Sequence, residues 1–266
     1  MTSGSVAASA PPRVLERLRQ APDGPRAVLH RGRHAVYLDL DGWCLGVVGS
    51  AATQVPCALR LGTEDLAALE GSSAHVEGGV LHLDATPVTV GRVVGTQVPR
   101  FEPADVQRRS AGNGEATSTT APAAPPAAVL EFVESVGLVR SPARALDPAD
   151  VARLVGRGDG LTPLGDDVLC GWLALHRAAG RATLVVDAAV RSLLPRTTLL
   201  SATLLDCALH GEVLPEFAAY VAALGTPDVA HRAAALAAVG HTSGAGLLYG
   251  ALLALAELHH TNGVAA

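Results

Sequence analysis

Beyond Ala128 the apolar residues of this chain recur at helical spacing, and each run is cut by glycine or proline. The runs are Ala128–Val136, Pro148–Val155, Asp166–Ala179, Thr183–Leu193, Thr198–Leu209, Leu214–Leu224, Pro227–Val239 and Ser243–His259. Between them stand Gly180, Pro195, Gly211, Gly225 and Gly240, residues that end or separate helices. Helices of this length must bury their apolar stripes against one another, so 128–266 is predicted to be an α-helical bundle. Aromatic residues make up only 3 % of the chain, which leaves Ala, Leu and Val to fill that core.

Upstream the pattern is different. Ala27–His30 and Ala35–Leu40 flank an Arg-Gly-Arg turn, and Trp43–Val48 follows Asp41-Gly42, a strong hairpin signal. His75–Glu77 and Val80–Leu83 flank Gly78-Gly79, and Val88–Val94 adds a β-branched run. A short helix is expected near Thr63–Leu69. The fold class is therefore α+β, an N-terminal mainly antiparallel β-domain followed by a C-terminal α-helical bundle domain. The expected divisions are a disordered 1–12, a β-rich domain 13–102, a flexible linker or loop 103–127 and the helical domain 128–266. The linker contains SAGNGEATSTTAPAAPP, too poor in large apolar groups to offset its ordering entropy by burial.

Charge narrows the function. The chain carries a net charge of −5 with a pI near 6.0, which argues against a nucleic-acid surface. Every basic residue is arginine, so a Schiff-base lysine, a Walker lysine and a lysine general base are excluded. Cys44, Cys57, Cys170 and Cys207 are widely spaced and read as small buried thiols. The N-terminal residues do not form a signal peptide, and the longest apolar stretch, Gly244–Ala256, falls short of the ~20 residues a bilayer requires. A cytoplasmic protein without membrane contact is expected.

Three segments can carry chemistry. The first is GRGDGLTPLGDD, Gly156 to Asp167, before an apolar helix. Its glycines, Gly158, Gly160 and Gly165 among them, let successive N–H groups turn inward as an anion nest, to which the helix adds its positive end. The spacing is neither a Rossmann nor a Walker loop. Asp166 and Asp167 have two readings: they complement the helix dipole, or they hold Mg²⁺, orient an arginine or accept a substrate N–H. Thr162-Pro163 fits an N-cap followed by a first-turn proline.

The second is GHTSGAG, Gly240 to Gly246, with His241, Thr242, Ser243 and Gly244 at a helix start. Gly246 and Gly250 would let another helix approach closely, with Gly171 and Ala174 as suitable partners. If those helices pack, the two loops lie side by side. The third is Arg196-Thr197-Thr198-Leu-Leu-Ser201, where a threonine caps the helix, Ser201 lies one turn on and Arg196 is either an anion clamp or a solvated side chain. No nucleophile–base pair stands out, and His30, His34, His75, His82, His176 and His231 are scattered, reading as structural or solvent-facing.

Together, GRGDGLTPLGDD, TTLLS with the later HGE, and GHTSGAG resemble the AllH-type subunit family of oxamate carbamoyltransferase. Two positions depart from the family pattern: Leu164 stands where serine is usual, and Gly246 where aspartate is common. The resemblance implies a subunit of a complex in purine (allantoin) catabolism, joining oxamate and carbamoyl phosphate to give oxalurate and phosphate. Its partners would be small anionic substrates, other carbamoyltransferase subunits, further copies of the chain, or both. On that reading the Gly158–Gly165 backbone takes a phosphate or carboxylate. Asp166 and Asp167 orient a substrate amide or a metal, Mg²⁺ being the ion considered, while Thr198, Ser201, Thr242 and Ser243 line the pocket. Two alternatives stand beside it: a Mg²⁺-dependent hydrolase or phosphotransferase using the paired aspartates, and a non-catalytic anion-sensing scaffold subunit.

Overall fold

The structure, a computed structural model, describes residues 4–64, 66, 73–112, 126–138 and 144–264. It divides into two compact units, Met1–Thr96 and Gln97–Ala266. The class is α+β.

The first unit is built on β1 (Val6–Ala10), α1 (Pro12–Gln20), β2 (Gly24–Arg26), β3 (Val28–Arg31), β4 (Ala35–Asp39), β5 (Cys44–Val48), β6 (Ala58–Leu61), β7 (Ala74–Glu77), β8 (Val80–Leu83) and β9 (Thr86–Val93). The strands form one sheet in the order β2-β7-β8-β9-β1-β6-β5-β4-β3. Neighbours run antiparallel except β1 with β9 and β5 with β6. The Asp41-Gly42 hairpin forms as its sequence predicts, both residues having positive φ, at 54° and 81°.

One expectation fails in this unit. Residues 6–10, read as part of a disordered terminus, form β1 between β9 and β6, with Ala8 and Ala10 buried. VAASA is nearly featureless in isolation; the sheet on both sides supplies the partners its backbone needs. The sequence also gives no warning of β6, whose Cys57-Ala-Leu-Arg-Leu run is short and follows a proline. The expected helix near Thr63–Leu69 lies largely outside the described residues.

The second unit starts earlier than the sequence implies. Residues 97–102, assigned to the β half, belong to it: Gln97 bridges Glu212, and the Val98 N–H donates to the Gly211 carbonyl at 2.8 Å. The supposed linker opens with a helix, α2 (Pro103–Gly112), and its remainder, 113–125, lies outside the described residues. There follow α3 (Ala127–Ser135), α4 (Pro148–Leu154), α5 (Leu164–Ala178), α6 (Leu184–Leu193), a 3-10 turn Leu194–Arg196, α7 (Leu199–Leu209), α8 (Pro215–Ala222), α9 (Val229–Ala237) and α10 (Ser243–Val264).

Helix α5 is the axis of this unit. Every residue from Leu164 to Ala178 except Arg177 is buried, as a helix apolar on all sides requires. Arg177 reaches out instead, donating to Asp187 at 2.6 Å, the Leu209 carbonyl at 2.9 Å and Thr183 at 2.9 Å, which ties α5 to α6 and α7. The closest partner of α5 is α10. A Cβ on Gly171 would lie 2.0 Å from the Leu247 carbonyl oxygen, and one on Gly250 1.9 Å from that of Val168. The glycine contact between these helices expected from the sequence is therefore present. Among the described residues no helix is long and apolar enough to cross a membrane.

Candidate functional site

The α5–α10 contact brings the glycine motif and GHTSGAG together. The Thr162 and Ser243 hydroxyls share a hydrogen bond at 2.9 Å. Thr162 therefore does not cap α5: the N-cap position is Pro163, which makes no side-chain cap.

Glycine shapes the loop by close approach. Gly156, at φ 71°, has the Arg196 carbonyl oxygen 2.4 Å from where a Cβ would sit, and Gly158, at φ 112°, has the Leu164 nitrogen at 2.7 Å. Gly165 presses on the end of α4, its added Cβ lying 2.1 Å from the Leu154 carbonyl oxygen. The loop closes on itself through the Gly165 N–H, which donates to the Arg157 carbonyl at 2.9 Å. Among the described residues the N–H groups of Gly158, Asp159, Gly160, Leu161 and Thr162 have no protein acceptor. Gly158 lines a pocket of about 530 Å³ together with Phe132, Ser135, Val136, Arg153 and Arg157.

The paired aspartates have separate tasks. Asp166 is fully buried; its Oδ1 accepts from the Gly156 N–H at 2.9 Å, and its Oδ2 accepts from Thr197 at 2.5 Å and Ser201 at 2.7 Å. It knots the loop to the start of α7, where Thr198 caps the helix by accepting from the Ser201 N–H at 3.1 Å and donates to the Leu161 carbonyl at 2.6 Å. Burial raises the Asp166 pKa, opposed by those donors from Thr197, Gly156 and Ser201. Three hydrogen bonds over its two oxygens make Asp166 a structural tie between the loop and α7. Asp166→Ala would leave one buried and two half-buried donors without their acceptor, so a loss of about 2–3 kcal/mol is expected in urea unfolding, at about 1 kcal/mol per donor. A loss under about 1 kcal/mol would show that the knot contributes little.

Asp167 is the reverse case. It is 4 % exposed, and its Oδ2 has no hydrogen-bond partner. Burial pushes its carboxyl well above the ordinary range, the Ser243 hydroxyl lowers it and the adjacent Asp166 raises it. The fold thus retains a buried carboxyl that favours its neutral form, one able to donate a hydrogen bond.

The other sequence-derived residues divide between site and packing. Thr162, Thr197, Thr198, Ser201 and Ser243 converge around the two aspartates. Arg196 meets the loop through its carbonyl while its side chain is exposed, and His241 is also exposed. Thr242 accepts the Gly246 N–H at 2.9 Å through its carbonyl. Gly244 is a packing glycine, its added Cβ falling 1.9 Å from the Leu236 carbonyl oxygen on α9. Gly158 and Gly160 are exposed, Gly158 at the pocket.

Arg153 and Arg157 are the residues that sequence reasoning passed over. They were legible: Arg157 stands inside the motif itself, and Arg153 precedes it by one helical turn. Arg153 is steadied by the Gly137 carbonyl at 3.1 Å and Asp150 at 3.2 Å.

Leu164 and Gly246 touch. A Cβ on Gly246 would meet the Leu164 Cδ1 at 2.7 Å and the Asp167 Cβ at 2.9 Å. The two positions singled out by the resemblance therefore face one another, the bulk of Leu164 standing where Gly246 carries no side chain. Gly246→Ala alone should cost about 1–3 kcal/mol by overpacking. Adding Leu164→Ser should return part of it, with a coupling of at least about 0.5 kcal/mol in a double-mutant cycle. Strict additivity would show the positions to be independent.

Residues 154–255 match the model of the family described as oxamate carbamoyltransferase subunit AllH, the family that the three motifs resemble. The match covers less than half of the chain and lies wholly within the second unit. The comparisons with curated proteins and with solved structures give no match.

Proposed function

We propose that the chain is a subunit of an oxamate carbamoyltransferase-like complex, and that its helical unit supplies a site for a small anionic substrate. The observation that carries this reading is Asp167: a buried carboxyl with one unpartnered oxygen, beside Ser243, where the starts of α5 and α10 meet. An apolar core gains nothing from such a group, whereas a substrate amide or a developing oxyanion does.

In this reading Arg153, Arg157 and the N–H groups of Gly158 to Thr162 take the phosphate or carboxylate of the substrate. Charge compensation of this kind suits two anionic reactants, carbamoyl phosphate and oxamate. The oxamate nitrogen attacks the carbamoyl carbonyl, a tetrahedral oxyanion forms, and phosphate leaves to give oxalurate. Asp167, whose burial favours the protonated carboxyl, donates to the oxyanion. Asp166 touches no reacting atom and is a positioning residue that fixes the loop against α7. Thr162 and Ser243 hold Asp167 in place, and Leu164 with Gly246 makes the wall beside it apolar.

The test is phosphorolysis of oxalurate by the chain assembled with its companion subunits. Asp167→Ala should lower turnover by on the order of 100-fold, as loss of a preorganised oxyanion donor does, while Asp167→Asn, which keeps an N–H donor, should lose less. Unchanged turnover would reject the role of this carboxyl. A metal-dependent hydrolysis through paired carboxylates is less well supported, because Asp166 is fully buried and already accepts three hydrogen bonds.

A further inference from the structure

The β unit contains a feature with no part in that reading. Strands β7 and β8 form a hairpin across Gly78-Gly79, whose φ values of 55° and 77° make the tight turn. Its register sets His75 opposite His82 and Glu77 opposite Val80. Side chains alternate, so Ala74, Val76, Leu81 and Leu83 are buried on one face. His75, Glu77 and His82 share the other. One ligating atom from each lies within 4.8 Å of the other two. The imidazoles are stacked, with centroids 4.6 Å apart and planes inclined by 14°.

We propose that His75, Glu77 and His82 form a binding site for a divalent transition metal, Zn²⁺ in the first instance. Two imidazoles and a carboxylate are a donor set that Zn²⁺ accepts with water in the remaining position, and the nitrogen donors disfavour Mg²⁺ and Ca²⁺. Nothing has to be broken to recruit them: among the described residues none of the three side chains makes a hydrogen bond or ion pair. The frame is also fixed. β7 is paired on both sides, by β2 and β8, and β8 by β7 and β9, so the ligands stand inside the sheet rather than on a frayed edge. Both histidines are half-buried and Glu77 is exposed, which leaves the ion open to exchange. A stack of two imidazoles is a common surface contact in its own right; a carboxylate two residues along the same face is what turns it into a ligand set.

The experiment uses the full chain, freed of any histidine tag and stripped with a chelator. Zn²⁺ is titrated calorimetrically, and Co²⁺ is titrated with its visible absorption recorded. One ion per chain is expected. Affinity should fall at least about 100-fold in His82→Gln and about 10-fold in Glu77→Gln, since replacing a ligand costs no less than disturbing its surroundings. His34→Gln and His231→Gln should bind as the wild type does. Because a strand substitution can perturb the sheet, unfolding is followed as well: Zn²⁺ should raise the melting temperature of the wild-type chain and leave that of His82→Gln unmoved. Absence of binding, or wild-type affinity in both His82→Gln and His75→Gln, would overturn the proposal. Neither outcome bears on oxalurate phosphorolysis.

Discussion

Replacing Asp167 by alanine is expected to slow phosphorolysis on the order of 100-fold, and replacing it by asparagine to make the protein harder to unfold at neutral pH. The two effects share one cause. Asp167 is buried with an unpartnered oxygen, and burial penalises its charged form. Its folded pKa is raised, so between the ordinary carboxylate range and that raised value the folded chain holds more protons than the unfolded one. Stability therefore falls as pH rises through that window. Asparagine cannot ionise and removes the fall. The gain should be about 1–3 kcal/mol near pH 7, the usual cost of a buried polar group lacking a partner, and should vanish below the ordinary carboxylate pKa. Urea unfolding at several pH values measures it. A merely structural carboxylate would behave as Asp166 is expected to, with its substitution destabilising. Loss of stability in Asp167→Asn at neutral pH would contradict a carboxyl held there for function.

How much of this could be read beforehand depends on the range of the forces involved. The helices from Ala127 onward follow the apolar periodicity closely, because burying a stripe is a local pattern with a local signature. The contact between GLTPLGDD and GHTSGAG was legible for a related reason: Gly171, Gly246 and Gly250 have no use on an exposed helix. What could not be read was long-range. β1 lies between strands far along the chain, and nothing in VAASA announces them. Asp166 and Asp167 are chemically identical neighbours in sequence; only the positions of Gly156, Thr197 and Ser201 make one a knot and leave the other unsatisfied. His75 and His82 looked scattered because a hairpin register, rather than sequence proximity, sets them face to face.

Gly171→Ala should be among the most damaging single methyls that can be added to the helical unit. The new Cβ would lie 2.0 Å from the Leu247 carbonyl oxygen, and Gly250 opposite already brings the Val168 carbonyl to within 1.9 Å of its own missing Cβ. The obstacle is backbone in both helices, so no rotamer change relieves it. Contrast Gly246, where the nearest atom is the end of the Leu164 side chain, which can turn away. To restore ordinary contact α5 and α10 must move apart by about an ångström or more, and α5 is buried on all sides. Separating them opens voids along the core and loosens the hydrogen bond between Thr162 and Ser243. A loss of about 3 kcal/mol or more is expected, the upper end of overpacking costs, visible as a large drop in melting temperature. Turnover should fall with it even in the fraction that folds, because the neighbours of Asp167 are set by the same contact. A Gly171→Ala chain that melts within a few degrees of the wild type would mean that α5 and α10 are not held together in this way.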